Sequence, residues 1–154
     1  MSQTVSVSAS SPSATLVQTL MCRVFEAMYF YSPQYCGSGR LEQPVTGASV
    51  AFAGSVSGEL RVAANIRLVR QLTADFLGID AAEVSEAHLD ATVRELANVA
   101  CCSMVSACMP GEDFHFSVPR GIEDGDLQQN LTHCFSGDQG TPQVGLDFRL
   151  IHPS

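Results

Sequence analysis

Lysine is absent from this 154-residue chain. Its eight cations are all arginines, set against sixteen Asp and Glu residues, for a formal net charge of −8. Neutralising phosphates takes clustered cations, so nucleic acid is excluded as the main partner, and an anionic membrane surface is disfavoured for the same reason. No two of the six cysteines, at positions 22, 36, 101, 102, 108 and 134, form a Cys-x-x-Cys pair. The four histidines are scattered singly, so the close-spaced pairs of a zinc site are missing. No apolar run reaches membrane-spanning length. The opening "MSQTVSVSASSPS" has neither a basic start nor an apolar centre, and so does not read as a signal peptide. We expect a soluble, cytoplasmic protein that keeps its cysteines reduced as small hydrophobes.

Apolar residues make up 45% of the chain and charged ones only 16%. That is a globular composition, and the length suits one domain with a sizeable core. We expect residues 1–13 to be a flexible tail and 14–154 to form the domain. Residues 14–30 show helical spacing, with Ser13 as N-cap. The Gly- and Pro-rich stretch 32–47 reads as a loop. Residues 48–65 read as two strands, around Val50–Phe52 and Leu60–Val62, turning at "GSVSG". A second helix covers 66–77, with Ile66, Leu68, Val69, Leu72, Phe76 and Leu77 inward and Gly78 as its stop. Residues 79–89 read as a connection. A third helix runs from Asp90 to Met109 and ends at Pro110–Gly111.

Residues 113–122 then read as a strand with Phe114, Phe116 and Val118 on one side. The acidic "EDGD" at 123–126 reads as a solvated loop, too poor in spaced ligands for calcium. Two further strands finish the chain, at 131–137 and 144–151. Strands that cluster instead of alternating with helices predict an α+β domain: an antiparallel sheet packed with about three helices. Segments 14–78 and 90–151 share a loose helix-then-hairpin order.

The third helix is apolar nearly all round, yet it opens with "RELAN". Glu95 and Asn98, three apart, share a face, with small Ala91 and Cys102 extending the stripe. Leu96, Val99, Ala100 and Met104 are left to pack inward. One reading is an exposed edge whose Glu suits the helix macrodipole. The other is chemical: a carboxamide can orient a water, and a carboxylate can grip a partner's cation. The pair has no tuned base or nucleophile and is poor equipment for catalysis alone. It suits a protein that completes another's active site.

The segment "RELANVACCSMVSACMPGEDFHFSVPRG" resembles the CheC/CheX/FliY family of chemotaxis phosphatases, and CheX most closely. The family signature is a helix bearing Glu-x-x-Asn, then a strand ending in Pro; here these are Glu95, Asn98 and Pro119. Residues 48–78 also resemble the family's hairpin and following helix, with Gly54 and Gly58 at the turn. Ala91 stands where the family often has Asp or Ser, with Asp90 one place earlier. The first helix has Glu26 followed by Tyr29, so the resemblance implies one site. It implies hydrolysis of the aspartyl phosphate on a CheY-type receiver domain. Asn98 would place the water, Glu95 would pair with a receiver Lys, and the receiver would hold the Mg²⁺. The chain would need no cofactor of its own. The resemblance also implies a homodimer joined through its sheets, with 114–118 or 144–151 as the unpaired edge. A non-catalytic interaction module with the same fold is the alternative.

Overall fold

The structure, a computed structural model, describes residues 12–122, 126–127, 130–137 and 140–151. The expected tail and most of "EDGD" lie outside the described residues. The chain order is α1 (Ala14–Tyr29), β1 (Gln34–Gly39), β2 (Val45–Ala53), β3 (Ser57–Asn65), α2 (Ile66–Leu77), a 3-10 turn (Ala81–Glu83) and α3 (Glu86–Cys108). Then follow β4 (His115–Phe116), β5 (Arg120–Gly121), β6 (Leu131–Ser136) and β7 (Pro142–Ile151). One antiparallel sheet runs β1-β6-β7-β3-β2-β4, with β5 also on β2. Three helices and one such sheet make the α+β architecture expected from the sequence.

The capping chemistry sets the helix bounds. Ser13 Oγ accepts from Leu16 N (3.2 Å) at the start of α1. The Asn65 carboxamide oxygen accepts from Arg67 N (2.9 Å) and so turns β3 directly into α2. Gly78, at φ 69°, closes α2 in the left-handed conformation that glycine adopts without cost. The tight β2–β3 hairpin needs Gly58, because a Cβ there would collide with Arg149 O and the Phe52 ring.

The core lies between the helices and one sheet face. Val50, Phe52, Leu60, Val62, Leu146 and Phe135 from the strands meet Val17, Met21 and Phe25 of α1 and the underside of α3. A smaller cluster, including Leu41, Ala63, Leu127 and Cys134, covers part of the other face. The rest of that face carries charge. Glu59 lies opposite Arg149 and Arg61 opposite Asp147 across β3–β7. The sheet order reads the same from either end once β1, β2, β3 are exchanged for β4/β5, β6, β7. The loose helix-then-hairpin repetition in the sequence therefore has a counterpart in the topology.

Five expectations need correction. The loop at 32–47 contains strand β1, whose partner β6 is almost a hundred residues away and whose register is broken near Gly37 (φ 81°). Glycines that read as loop are here the irregularities of a bulged edge strand. α3 begins at Glu86, not Asp90, because Ser85 caps it. Phe76 and Leu77 are exposed, at 70% and 45%. The strand at 113–122 splits into β4 and β5. Pairing with β2 shifts by one residue between Phe116–Phe52 and Arg120–Ser49, which leaves Val118 80% exposed. In the gap, Ser117 Oγ accepts from Ala51 N (2.9 Å), a side chain standing in for the ladder. Finally, 144–151 lies in β7, between β6 and β3, and is no edge; the edges are β1 and β4–β5.

Candidate functional site

α3 carries the candidate site, and its sequence explains both of its sides. Ser85 Oγ accepts from His88 N (3.2 Å) while His88 Nδ1 accepts from Ser85 N (3.1 Å), a reciprocal cap that satisfies two otherwise orphaned donors. The underside buries Leu89, Val93, Leu96, Ala97, Ala100, Cys101 and Met104. Ala97, Ala100 and Cys101 are small, so the backbone lies close to β2 and β3. Cys101 Sγ sits 4.0 Å from Val50 O, and burial pushes its thiol up to about 12. Burial raises the other five thiols as well, so all six cysteines stay protonated at neutral pH, without the thiolate character of reactive thiols.

The upper side is a low ridge of Ala91, Glu95, Asn98 and Cys102. Glu95 is exposed and Asn98 half-buried. Among the described residues neither side chain has a hydrogen-bond or ion-pair partner. Glu95 does impose its field on two neighbours. The Tyr29 hydroxyl is pushed up to about 12, first by burial and then by the Glu95 charge, so it remains an O–H donor. Cys102 is raised by the same two causes in the same order.

The neighbours of the pair are committed elsewhere. Arg94 Nε donates to Asp90 Oδ2 (2.7 Å), and Arg94 Nη1 donates to the Pro119 carbonyl. Pro119 thus ties the β4–β5 segment to the helix beside the ridge. Asp90 is occupied by Arg94 and does not take the place on the ridge that Ala91 leaves without a polar group.

A groove of about 490 Å³ opens between the three helices on the Glu95 side of the ridge. Met28 and Tyr29 of α1, Phe76 and Leu77 of α2, and Val99 of α3 line it, and Glu95 stands among them. Val99 therefore borders the groove while half-buried against the edge of the core. The sequence reading missed the groove. Its one signal was that Phe76 and Leu77 continue the apolar stripe to the last turn of α2, where no element of the described chain covers them. Among the described residues, no group of three His, Cys, Asp or Glu could hold a metal ion. No described helix is long and apolar enough to cross a membrane.

This fold, helices layered on an antiparallel sheet, recurs in solved structures. CheX of Borrelia burgdorferi, solved as a CheX–CheY–BeF3–Mg²⁺ complex, superposes with a TM-score of 0.68 at 14% identity, over 90% of this chain and 97% of that one. CheX of Desulfovibrio desulfuricans gives 0.66 at 17% identity, over 90% and 98%. A CheC-like protein of a Shewanella species gives 0.65 at 16%, over 88% and 96%. At these identities the likeness is one of fold. No curated protein matches the sequence. The sequence profile described as "Chemotaxis phosphatase CheX" matches residues 46–137, more than half of the chain. The chain belongs to the CheX family of chemotaxis phosphatases.

Proposed function

We propose that the chain dephosphorylates a CheY-type receiver domain in the cytoplasm, with Glu95 and Asn98 as its working residues. The observation that carries this reading is their shared freedom: a carboxylate and a carboxamide, three apart, stand without hydrogen-bond or ion-pair partners among the described residues, on the side of α3 that faces away from the sheet. Leaving both groups unpaired gains the fold nothing, whereas a partner can use them.

Docked on a phosphorylated receiver, the Glu95 carboxylate pairs with a receiver Lys and fixes the register. The Asn98 carboxamide holds a water in line with the phosphorus–oxygen bond to the receiver Asp. The water oxygen bonds to phosphorus, the bond to the aspartyl oxygen breaks, and inorganic phosphate and the free carboxylate leave. Mg²⁺ held by the receiver's own acidic residues would neutralise phosphoryl charge, and the protons of the water leave with the phosphate, so this chain contributes placement and not acid–base chemistry. The burial of α3 serves that role, since a helix anchored on the sheet holds Asn98 rigidly. In a homodimer the free edges, β1 and β4–β5, are where a second copy would add, and light scattering would read it as a doubled mass.

The test is phosphate release from receivers labelled with acetyl phosphate. The chain should accelerate release, and Asn98→Ala should abolish about 100-fold of that acceleration, the scale of losing one preorganised hydrogen-bonding group. Unchanged decay across the source organism's receivers would end the phosphatase reading. Retained receiver binding alongside it would leave a non-catalytic module.

A further inference from the structure

The groove beside Glu95 is built for an apolar group, and nothing in the reaction just described uses it. Its walls are Met28, Tyr29, Phe76, Leu77 and Val99, and Glu95 is the one carboxylate among the described lining residues. His88 also lines it, with its Nδ1 accepting from Ser85 N. The Phe76 ring leans edge-on against Tyr29, with centroids 6.2 Å apart, and remains 70% exposed.

A second observation comes from the end of α1. Phe30, the residue after Tyr29, takes the helix C-cap in the left-handed conformation, φ 53° and ψ 35°. Glycine or asparagine usually takes that position, because a Cβ there is strained. Phe30 bears the strain and is still 94% exposed, so its ring gains no burial within the described chain. Such strained positions cluster at functional sites, and this one motivates the proposal below. The two helices thus end side by side: Phe76 presents its uncovered ring in the groove wall, and Phe30 follows the wall residue Tyr29 in the chain.

We propose that this groove is the second half of the receiver-docking surface: it takes an apolar side chain that flanks the receiver cation paired by Glu95. The inference rests on the receiver reading given above, and the argument for this occupant is continuity and charge. Glu95 belongs to both surfaces, so whatever brings a cation to Glu95 lies over the groove. A groove with apolar walls and one negative rim fits a cation with an apolar neighbour. Central apolar anchors next to a charge pair dominate interface energies, so the groove sets which receiver is accepted while Asn98 sets the rate.

The experiment compares the wild type, Phe76→Ala, Phe30→Gly and Asn98→Ala as full chains. KM and kcat are read from phosphate release, and Kd from calorimetric titration with a CheY-type receiver activated by beryllofluoride and Mg²⁺. Phe76→Ala should raise KM and Kd about tenfold and leave kcat within a factor of two. Phe30→Gly should weaken binding severalfold while raising the thermal midpoint, since it removes the strain together with the ring. Asn98→Ala should do the reverse of Phe76→Ala, lowering kcat with Kd little changed. If Phe76→Ala and Phe30→Gly both bind like the wild type, the groove is not a docking surface, even where the phosphatase activity stands. If the receiver binds and Phe76→Ala weakens it but no release is accelerated, the groove stands and the phosphatase reading falls. If no receiver of the source organism binds, both fall.

Discussion

α1 and α3 hold corresponding places in the two halves of the fold, each leading into three strands, and each carries Glu followed three residues later by a polar side chain. The surroundings differ completely. In α3 the pair is Glu95 and Asn98, on a ridge where no described residue hydrogen-bonds to or ion-pairs with either side chain. In α1 it is Glu26 and Tyr29, and the Tyr29 ring is half-buried against Phe76. The undersides differ as well. α3 lies directly on β2 and β3 through Ala97, Ala100 and Cys101, whereas α1 stands off on Val17, Met21 and Phe25, with the Phe25 ring 5.7 Å from Phe135. The helix that carries the proposed water-placing amide is the one seated closest to the sheet. Its counterpart turns the position equivalent to Asn98, Tyr29, into a wall of the groove.

The largest effects come from reversing the two undersides. Phe25→Ala should cost about 3–5 kcal/mol, because the ring is wholly buried and the gap beneath α1 cannot close. Ala100→Leu should cost about 1–3 kcal/mol through overpacking where α3 already touches the sheet. Denaturant midpoints check both, provided that the slope stays constant. The contrast breaks if Ala100→Leu is neutral, since that would mean α3 has room to lift. Such a variant should also lose activity out of proportion to its stability if seating sets the position of Asn98.

Next come the two carboxylates. Glu95→Gln should weaken receiver binding about tenfold, equivalent to about 1.4 kcal/mol, and flatten its salt dependence, as expected when one ion pair is lost. Glu26→Gln, equally exposed, should change neither. A matching loss at Glu26 would show that both halves dock a receiver and would overturn the one-site reading.

How much of this was legible in the sequence depends on the range of the interactions. The hairpin β2–β3, the cores of all three helices and the ridge at Glu95 and Asn98 are local patterns, carried by alternation, helical spacing and caps. β1 was not legible because its partner lies almost a hundred residues away and its glycines imitate a loop. The break between β4 and β5 depends on a bulge around Ser117, which apolar alternation cannot reveal. The groove was hidden for the opposite reason: Phe76 and Leu77 obey the helical period perfectly, and only the arrangement of all three helices shows that the last turn of α2 is uncovered. Val99 shows the same effect: its spacing places it against the core, and the groove leaves it only half-buried.

The start of α3 gives the smallest and most local test. Ser85 and His88 exchange hydrogen bonds and begin the helix four residues before the apolar pattern would. Ser13 at the start of α1 has only its own Oγ accepting from Leu16 N. Ser85→Ala should cost about 1 kcal/mol, and Ser13→Ala about the same or less. The discriminating readout is reach. A cap on α3 stands near the groove, where His88 contributes to the lining, so Ser85→Ala should loosen amide-exchange protection through the turn that holds Ala91 and Glu95, and raise KM slightly with kcat unchanged. Ser13→Ala should fray the first turn of α1 and leave both constants alone, because the working end of α1 is the other one, at Tyr29. Equal kinetic silence from both variants would mean that the seating of α3 on the sheet, not its cap, fixes where the ridge begins.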